Sequence, residues 1–271
     1  MQRIIPHLWY DKEAKEAALF YTKLFENSNL LYTHNIESPE PFPDAEVVVF
    51  ELAGIRFIAI SAGPYFKLNP ASSLVVYCST QEEVKRIWTT LADSGKILES
   101  LGESQGLLQD RFGLTWQVKL VEDKDIDQKI VPCLLFADAN QAAQYYKQVF
   151  NNSSIVQDNS LISLQLDGFN LILKDNKLNQ DYELNEDFSL IINCKGQQEI
   201  DYFWDRLSHV QEAESCGWCK DKFGLSWQVL PEDWEKLCYD GTKEELKRVN
   251  QTMLAMKKID IEELERAKRG A

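Results

Sequence analysis

The 271-residue chain has only 3 histidines, at positions 7, 34 and 209, and their wide separation supplies no H-x₃₋₅-H pair for a structural zinc site. No apolar run approaches the ~18–20 residues that a membrane helix needs. The opening Met1-Gln2-Arg3-Ile4-Ile5-Pro6-His7 lacks the apolar stretch of a secretory signal. The expectation is a soluble, cytoplasmic protein with no membrane partner. Basic residues are in deficit, with 29 Lys and Arg against 43 Asp and Glu, a net charge of −14. A surface of that sign repels phosphate backbones, so nucleic acid is not an expected partner. The 6 cysteines are scattered in the manner of reduced thiols, not of a disulfide framework. No G-x-S-x-G elbow, P-loop or H-E-x-x-H is present, so the common hydrolase and nucleotide-site chemistries have no support.

Apolar side chains are plentiful, at 44% of residues with 7 Trp, 10 Tyr and 13 Phe, and the length suits two domains. The chain repeats itself. Asp110-Arg111-Phe112-Gly113-Leu114-Thr115-Trp116-Gln117-Val118 recurs as Asp221-Lys222-Phe223-Gly224-Leu225-Ser226-Trp227-Gln228-Val229, with only Arg/Lys and Thr/Ser exchanges. Ile4-Ile5-Pro6-His7-Leu8 matches Ile130-Val131-Pro132-Cys133-Leu134 in the same order, and Ser73-Leu74 with Cys78 matches Ser189-Leu190 with Cys194. These landmarks define a tandem duplication. The expected division is 1–121 and 130–231, with an acidic linker at 122–129 and a C-terminal helical tail at 232–271. The tail carries a helical stripe of Leu246, Val249, Met253 and Met256.

Each copy splits again. Ala17, Phe20, Tyr21 and Leu24 stand at i, i+3, i+4, i+7, and so do Val84, Ile87, Trp88 and Leu91. The second copy repeats both stripes. A short apolar strand precedes each helix and about three strands follow, one hairpin turning at Asp167-Gly168. The fold class is therefore α+β, with four βαβββ modules.

Four such modules in two pairs resemble the vicinal oxygen chelate superfamily, which includes glyoxalase I, the bleomycin-resistance proteins and the extradiol dioxygenases. Ile5-Pro6-His7-Leu8-Trp9-Tyr10-Asp11, Gly63-Pro64-Tyr65-Phe66-Lys67-Leu68-Asn69-Pro70 and Cys216-Gly217-Trp218-Cys219 are similar to the PhnB-like branch, as is the Met253–Asp260 tail. The resemblance implies two glyoxalase-like domains with curved mixed sheets, and a C-terminal helix. Members of this branch often carry a demethylubiquinone methyltransferase label, yet the sequence has no glycine-rich loop for a methyl donor.

In the metal-dependent members, His and Glu side chains converge on a divalent ion in the cup of the sheet. Matching strands puts the first ligand position at Pro6 and Pro132, or, with a slip of one residue, at His7 and Cys133. The others fall near Ala59 and Leu173, on Ser73 and Ser189, and on Gln117 and Gln228. This is not a His/Glu set whether module one shares its cup with module two or with module four, and no metal or other cofactor is expected. The resemblance implies instead that a small organic molecule binds in one or both cups, with Ala59, Ser73, Gln117, Ser189 and Gln228 along their floors. Tyr65, Phe66 and Lys67 would form a flap over one of them, and the first copy is favoured because the counterpart Lys177–Tyr182 is more polar. The alternatives are a metal-dependent lyase, isomerase or dioxygenase using His7 or Gln117, a resistance protein whose acidic surface steers cationic drugs inward, and an interaction module with no ligand, whose cups would be filled by their own side chains. Either a monomer or a homodimer is compatible with four modules.

Three motifs keep two readings. Trp116-Gln117 and Trp227-Gln228 place an amide toward each cup or satisfy neighbouring strands. Asp110-Arg111-Phe112-Gly113 and its repeat form a turn or a catalytic group. Cys216-x-x-Cys219 precedes a strand and does not open a helix, which favours structural over redox thiols.

Overall fold

The computed structural model describes residues 2–37, 44–121, 127–158, 161–176 and 182–270. The first module runs β1 (Ile4–Tyr10), α1 (Ala14–Leu24), β2 (Asn29–Ile36), β3 (Ala45–Leu52) and β4 (Ile55–Ser61). The second is β5 (Ser72–Cys78), α2 (Gln81–Ala92), β6 (Lys96–Glu99), β7 (Gln105–Gln109) and β8 (Thr115–Leu120). The third is β9 (Ile130–Phe136), α3 (Ala139–Val149), β10 (Ser153–Asp158), β11 (Leu161–Leu166) and β12 (Phe169–Asp175). The fourth has β13 (Phe188–Cys194), α4 (Gln197–Leu207), β14 (Trp218–Lys220) and β15 (Ser226–Pro231). It departs from the expected pattern, because a 3-10 turn at Gln211–Ala213 stands where a strand should follow α4.

The tail resolves into three helices, α5 (Trp234–Cys238), α6 (Lys243–Ala255) and α7 (Ile261–Arg269), where one stripe was expected. Their starts have clear local causes: Thr242 and Glu245 form a reciprocal capping box, and the Asp260 side chain accepts from Glu263 N–H. Between α6 and α7 the carbonyls of Met256 and Lys257 accept from Cys216 and Gly217 N–H at 2.9 and 2.7 Å, tying the tail to the edge beside β14. The linker stretch 122–126 lies outside the described residues.

Two mixed sheets form, with strand orders β14-β15-β13-β1-β4-β3-β2 and β10-β11-β12-β9-β5-β8-β7-β6. The first sheet joins module one to module four, and the second joins module two to module three. The joins are the antiparallel pairs β1·β13, with His7 opposite Ser189, and β5·β9, with Ser73 opposite Cys133. Each cup therefore takes one module from each half of the duplication. Of the two partners open to module one, the strands take module four: backbone pairing crosses between the copies.

The helices lie between the sheets. α1 packs on β3 and β4, while its Tyr21 and Phe25 rings reach Trp116 of the other sheet at 5.3 and 5.5 Å. α3 packs on β11 and β12, and its Tyr146 and Phe150 reach Trp227 at 5.5 and 5.7 Å. One large buried cluster thus holds the inner faces of both sheets together.

At each crossing a buried aspartate collects the donors. Asp110 accepts from Tyr21 Oη at 2.6 Å, Trp116 Nε1 at 2.8 Å and the N–H groups of Phe112 and Leu114 at 2.8 and 3.1 Å. Asp221 repeats all four contacts with Tyr146, Trp227, Phe223 and Leu225 at 2.8, 2.8, 2.8 and 3.2 Å. The glycines of the motif, Gly113 and Gly224, both stand at φ +87° and close the turn back to the aspartate. These carboxylates are held inside the fold, which explains the repeated motif as turn and anchor. Replacing Asp110 by Asn turns one acceptor oxygen into a donor and leaves a buried N–H or O–H unpaired. Asp110→Asn is expected to cost about 1–3 kcal/mol in urea unfolding, and an unchanged midpoint with an unchanged slope would refute the anchoring role.

Candidate functional site

Strand alternation sorts every candidate side chain to one face or the other. In β1, Ile4, Leu8 and Tyr10 join the helix-side core with Ala59 of β4, Leu190 of β13 and Trp227 of β15. His7 shares the opposite, outer face with Ile58, Ser189, Ser226 and Gln228. In the second sheet Leu134, Leu173, Leu74 and Trp116 face the helices, while Cys133, Ile172, Ser73, Thr115 and Gln117 face out. The outer-face residues of β1 and β9 are those of the one-residue slip. His7 and Cys133 lie on the cup floors, and Pro6, Pro132, Ala59 and Leu173 lie on the helix side.

The Trp-Gln pairs divide as the alternation requires, tryptophan inward and glutamine outward. Gln117 Nε2 donates to Ser73 Oγ at 2.8 Å, and Gln228 Nε2 donates to Ser189 Oγ at 3.0 Å. Each floor is thus a polar row across the join: His7, Ser189 and Ser226 with Gln228 in one sheet, and Cys133, Ser73 and Thr115 with Gln117 in the other. His7, Ser226 and Thr115 are all at least 95% buried, and His7 Nδ1, Ser226 Oγ and Thr115 Oγ1 have no hydrogen-bond partner among the described residues. Buried polar groups are ordinarily satisfied, so these three atoms are exceptional. Burial pushes the His7 imidazole down to about 3, so it is a neutral group at physiological pH.

The first cup is roofed by rings. Phe66 of the flap meets Trp9 at 5.1 Å, Trp9 meets Trp218 at 6.2 Å, and Trp218 meets His7 at 5.2 Å. Trp9 Nε1 donates to the carbonyl of Gly63 at 2.8 Å, which anchors the flap. Tyr65 is 57% exposed, and Lys67 lies exposed on the wall of a cavity of about 310 Å³ beside Trp9, Phe66 and Phe112. The far end of this cup is covered from the tail: Tyr239 stacks on His34 at 4.2 Å, and Glu235 pairs with Arg56. The CxxC hairpin contributes Trp218 to the cup and Cys219 to the core, where burial pushes that thiol well up. Neither cysteine has a thiolate environment.

The second cup is different. Lys174 of β12, outside the candidate set, places Nζ 3.0 Å from Gln117 Oε1. Below it Val75, Val131, Cys133 and Ile172 form an apolar floor separate from the main core, with Tyr77 and Leu161 packed against it. The Lys177–Asp181 part of the counterpart flap lies outside the described residues. Lys174 was findable in principle, because it stands two residues beyond Ile172 on the same face.

Two curved mixed sheets enclosing helices, with floor positions at the joins, define the glyoxalase-like fold of the vicinal oxygen chelate superfamily. Glyoxalase I of Zea mays shares it at TM-score 0.53 and 11% identity, over 84% of this chain and 93% of that one. The chain belongs to the family described as 3-demethylubiquinone-9 3-methyltransferase, which matches residues 2–119 and 128–230 and includes the PhnB-like proteins. It is 32% identical to a PhnB protein of Bacillus cereus, covering 44% of this chain and 100% of that one at TM-score 0.41. No curated protein matches it.

The metal that the superfamily implies does not fit these residues. One imidazole with an amide and hydroxyls in one cup, and one thiol with an amide, hydroxyls and an ammonium in the other, do not form a His/carboxylate set. Among the described residues no three His, Cys, Asp or Glu side chains stand together as a possible metal group.

The flap is also tied to the fourth module. Asn69 Nδ2 donates to Asp187 Oδ2 at 3.1 Å, while the Asp187 carbonyl accepts from Trp9 N–H at 2.8 Å. Burial pushes the Asp187 carboxyl from its ordinary 3.8 up to about 8. Between those values the folded protein retains a proton that the unfolded chain has lost, so this group lowers stability as pH rises from about 4 to 8. Asp187→Asn, which has no proton to lose, is expected to flatten that part of the stability profile and to exceed the parent at pH 8. Urea midpoints at several pH values check this, and a variant with the parent's slope would place its origin elsewhere.

Proposed function

We propose that this protein binds a small organic molecule on the outer floors of its two cups, and that a divalent ion is not part of either site. The observation that carries the reading is the pair of polar rows crossing the β1·β13 and β5·β9 joins, with three buried polar atoms lacking partners. A ligand hydroxyl, amide or carboxyl would satisfy them. Ser73, Gln117, Ser189 and Gln228 form the floors in this reading, with Phe66 and Trp9 closing the first cup from the flap side. Tyr65 and Lys67 serve as its outer rim. Ala59 is left out, because it faces the helices.

Methyl transfer, named in the family's description, would need a methyl donor held by a cofactor loop that the sequence lacks, and the proposal contains no such step. Binding alone is the activity put forward. The acidic net charge of −14 favours approach of cationic molecules at long range, the sense in which a sequestering role like that of the bleomycin-resistance proteins remains the second reading.

The test is a thermal-shift scan of chelator-stripped protein against Mn²⁺, Fe²⁺, Co²⁺, Ni²⁺ and Zn²⁺, followed by a library of small polar aromatics. A ligand specific to the folded state at 100 times its Kd stabilises by about 2.7 kcal/mol, a shift that is readily seen. The expected result is no saturable rise with any ion and a saturable rise with at least one organic compound, reduced by Gln117→Leu or Gln228→Leu. A saturable metal response abolished by His7→Ala would overturn the metal-free assignment.

A further inference from the structure

We infer that the cup built by the second and third modules is a site for a small organic carboxylate with an apolar body. The assignment rests on the cup reading above and names the ligand chemistry of one of its two sites.

Lys174 carries the argument. It lies on the outer face of β12 beside Leu135 of β9, and Gln117 holds its ammonium over the floor at 3.0 Å. Gln117 is itself fixed, donating to Ser73 Oγ at 2.8 Å, and Ser73 in turn donates to the Cys133 carbonyl at 3.2 Å. A lysine on a free stem would spread over many rotamers in water. This one is positioned by a chain of neutral groups anchored in the central strands, and such preorganisation lowers the ordering cost of binding an anion.

The neighbouring groups complete the recognition. Thr115 Oγ1, buried and without a partner among the described residues, lies in the same row as Ser73 and offers a hydroxyl. Tyr77 and Leu161, half-buried and packed on the closed floor of Val75, Val131, Cys133 and Ile172, give the apolar surface for the body of the ligand. A charged head over an apolar floor selects an amphiphilic anion over a simple inorganic one.

The duplication provides an internal comparison. Matching β1–β4 to β9–β12 sets Ile60 at the place of Lys174 and His7 at the place of Cys133. The sister cup keeps the Gln–Ser pair but has an isoleucine and a neutral imidazole where this one has an ammonium and a thiol. A cation at this position therefore belongs to one cup only. It also runs against the charge of the whole molecule, whose −14 repels anions at long range, so attraction has to come from a local contact.

The experiment uses the full chain and three probes that share a ring and differ in charge: benzoate, benzyl alcohol and benzylamine. Affinities are measured by calorimetry, and the site is located by amide chemical-shift mapping. The expected result is at least tenfold tighter binding of benzoate than of the other two, with shifts centred on Ser73, Gln117 and Lys174. Lys174→Met should remove that preference, while Lys147→Met on the exposed face of α3 should keep it. Equal binding of all three probes in this cup, or a benzoate preference unchanged in a folded Lys174→Met protein, overturns the anion assignment and leaves the cup reading standing. Should Lys174→Met fail to fold, the shift map decides: benzoate shifts elsewhere on the molecule overturn the assignment. Failure of every probe to bind either cup overturns both.

Discussion

The antiparallel pairings of β1 with β13 and of β5 with β9 carry the chain across its own duplication, and the rest of the architecture depends on them. Because side chains alternate along a strand, the register at each join decides which residue of the repeated motifs meets the helices and which meets the outside. A shift of one residue would bury His7 among the helices and turn Leu8 to the surface. With the observed register, tryptophan and leucine go inward, and the serines and glutamines of both halves line up on the outer floors. The two cups are thus products of pairing between the halves, so neither half contains a complete cup.

The aspartate anchors tie the two sheets to each other within each half of the duplication. Asp110 and Asp221 each bind a tyrosine from a helix that rests on one sheet and a tryptophan from the other sheet. Each carboxylate therefore spans the layers, and its two backbone contacts fix the turn entering β8 or β15. The Trp116 and Trp227 rings, both fully buried, set the inward face of the strands whose next residues are the floor glutamines. Packing on one side of the strand aims the amide on the other.

Much of this was legible beforehand, for identifiable reasons. The nine-residue repeat ending in Trp-Gln-Val revealed the duplication, and alternation within it separated the inward ring from the outward amide. The register of β1 was not legible, because that strand is buried on nearly every residue and so shows no period-two contrast. Pro6 and His7 are equally placed in such a run. The missing strand of the fourth module was hidden by its exchange for a 3-10 turn and for the Met256 and Lys257 carbonyls, a substitution by distant sequence. In the sequence Trp218 is marked only by the cysteines around it, whereas its role in the fold is as a ring beside His7. Lys174 is not readily legible in the sequence because it lies at the end of β12, where Lys-Asp-Asn resembles the start of a loop.

The central claim is that the cups arise by pairing between the two halves, and native-state hydrogen exchange tests it most directly. Amides of β1 should lose protection together with those of β13 and β15, and amides of β5 together with those of β9 and β12, as denaturant rises. A chain in which residues 4–120 open as one cooperative unit and 130–231 as another, with β1 independent of β13, would contradict the account.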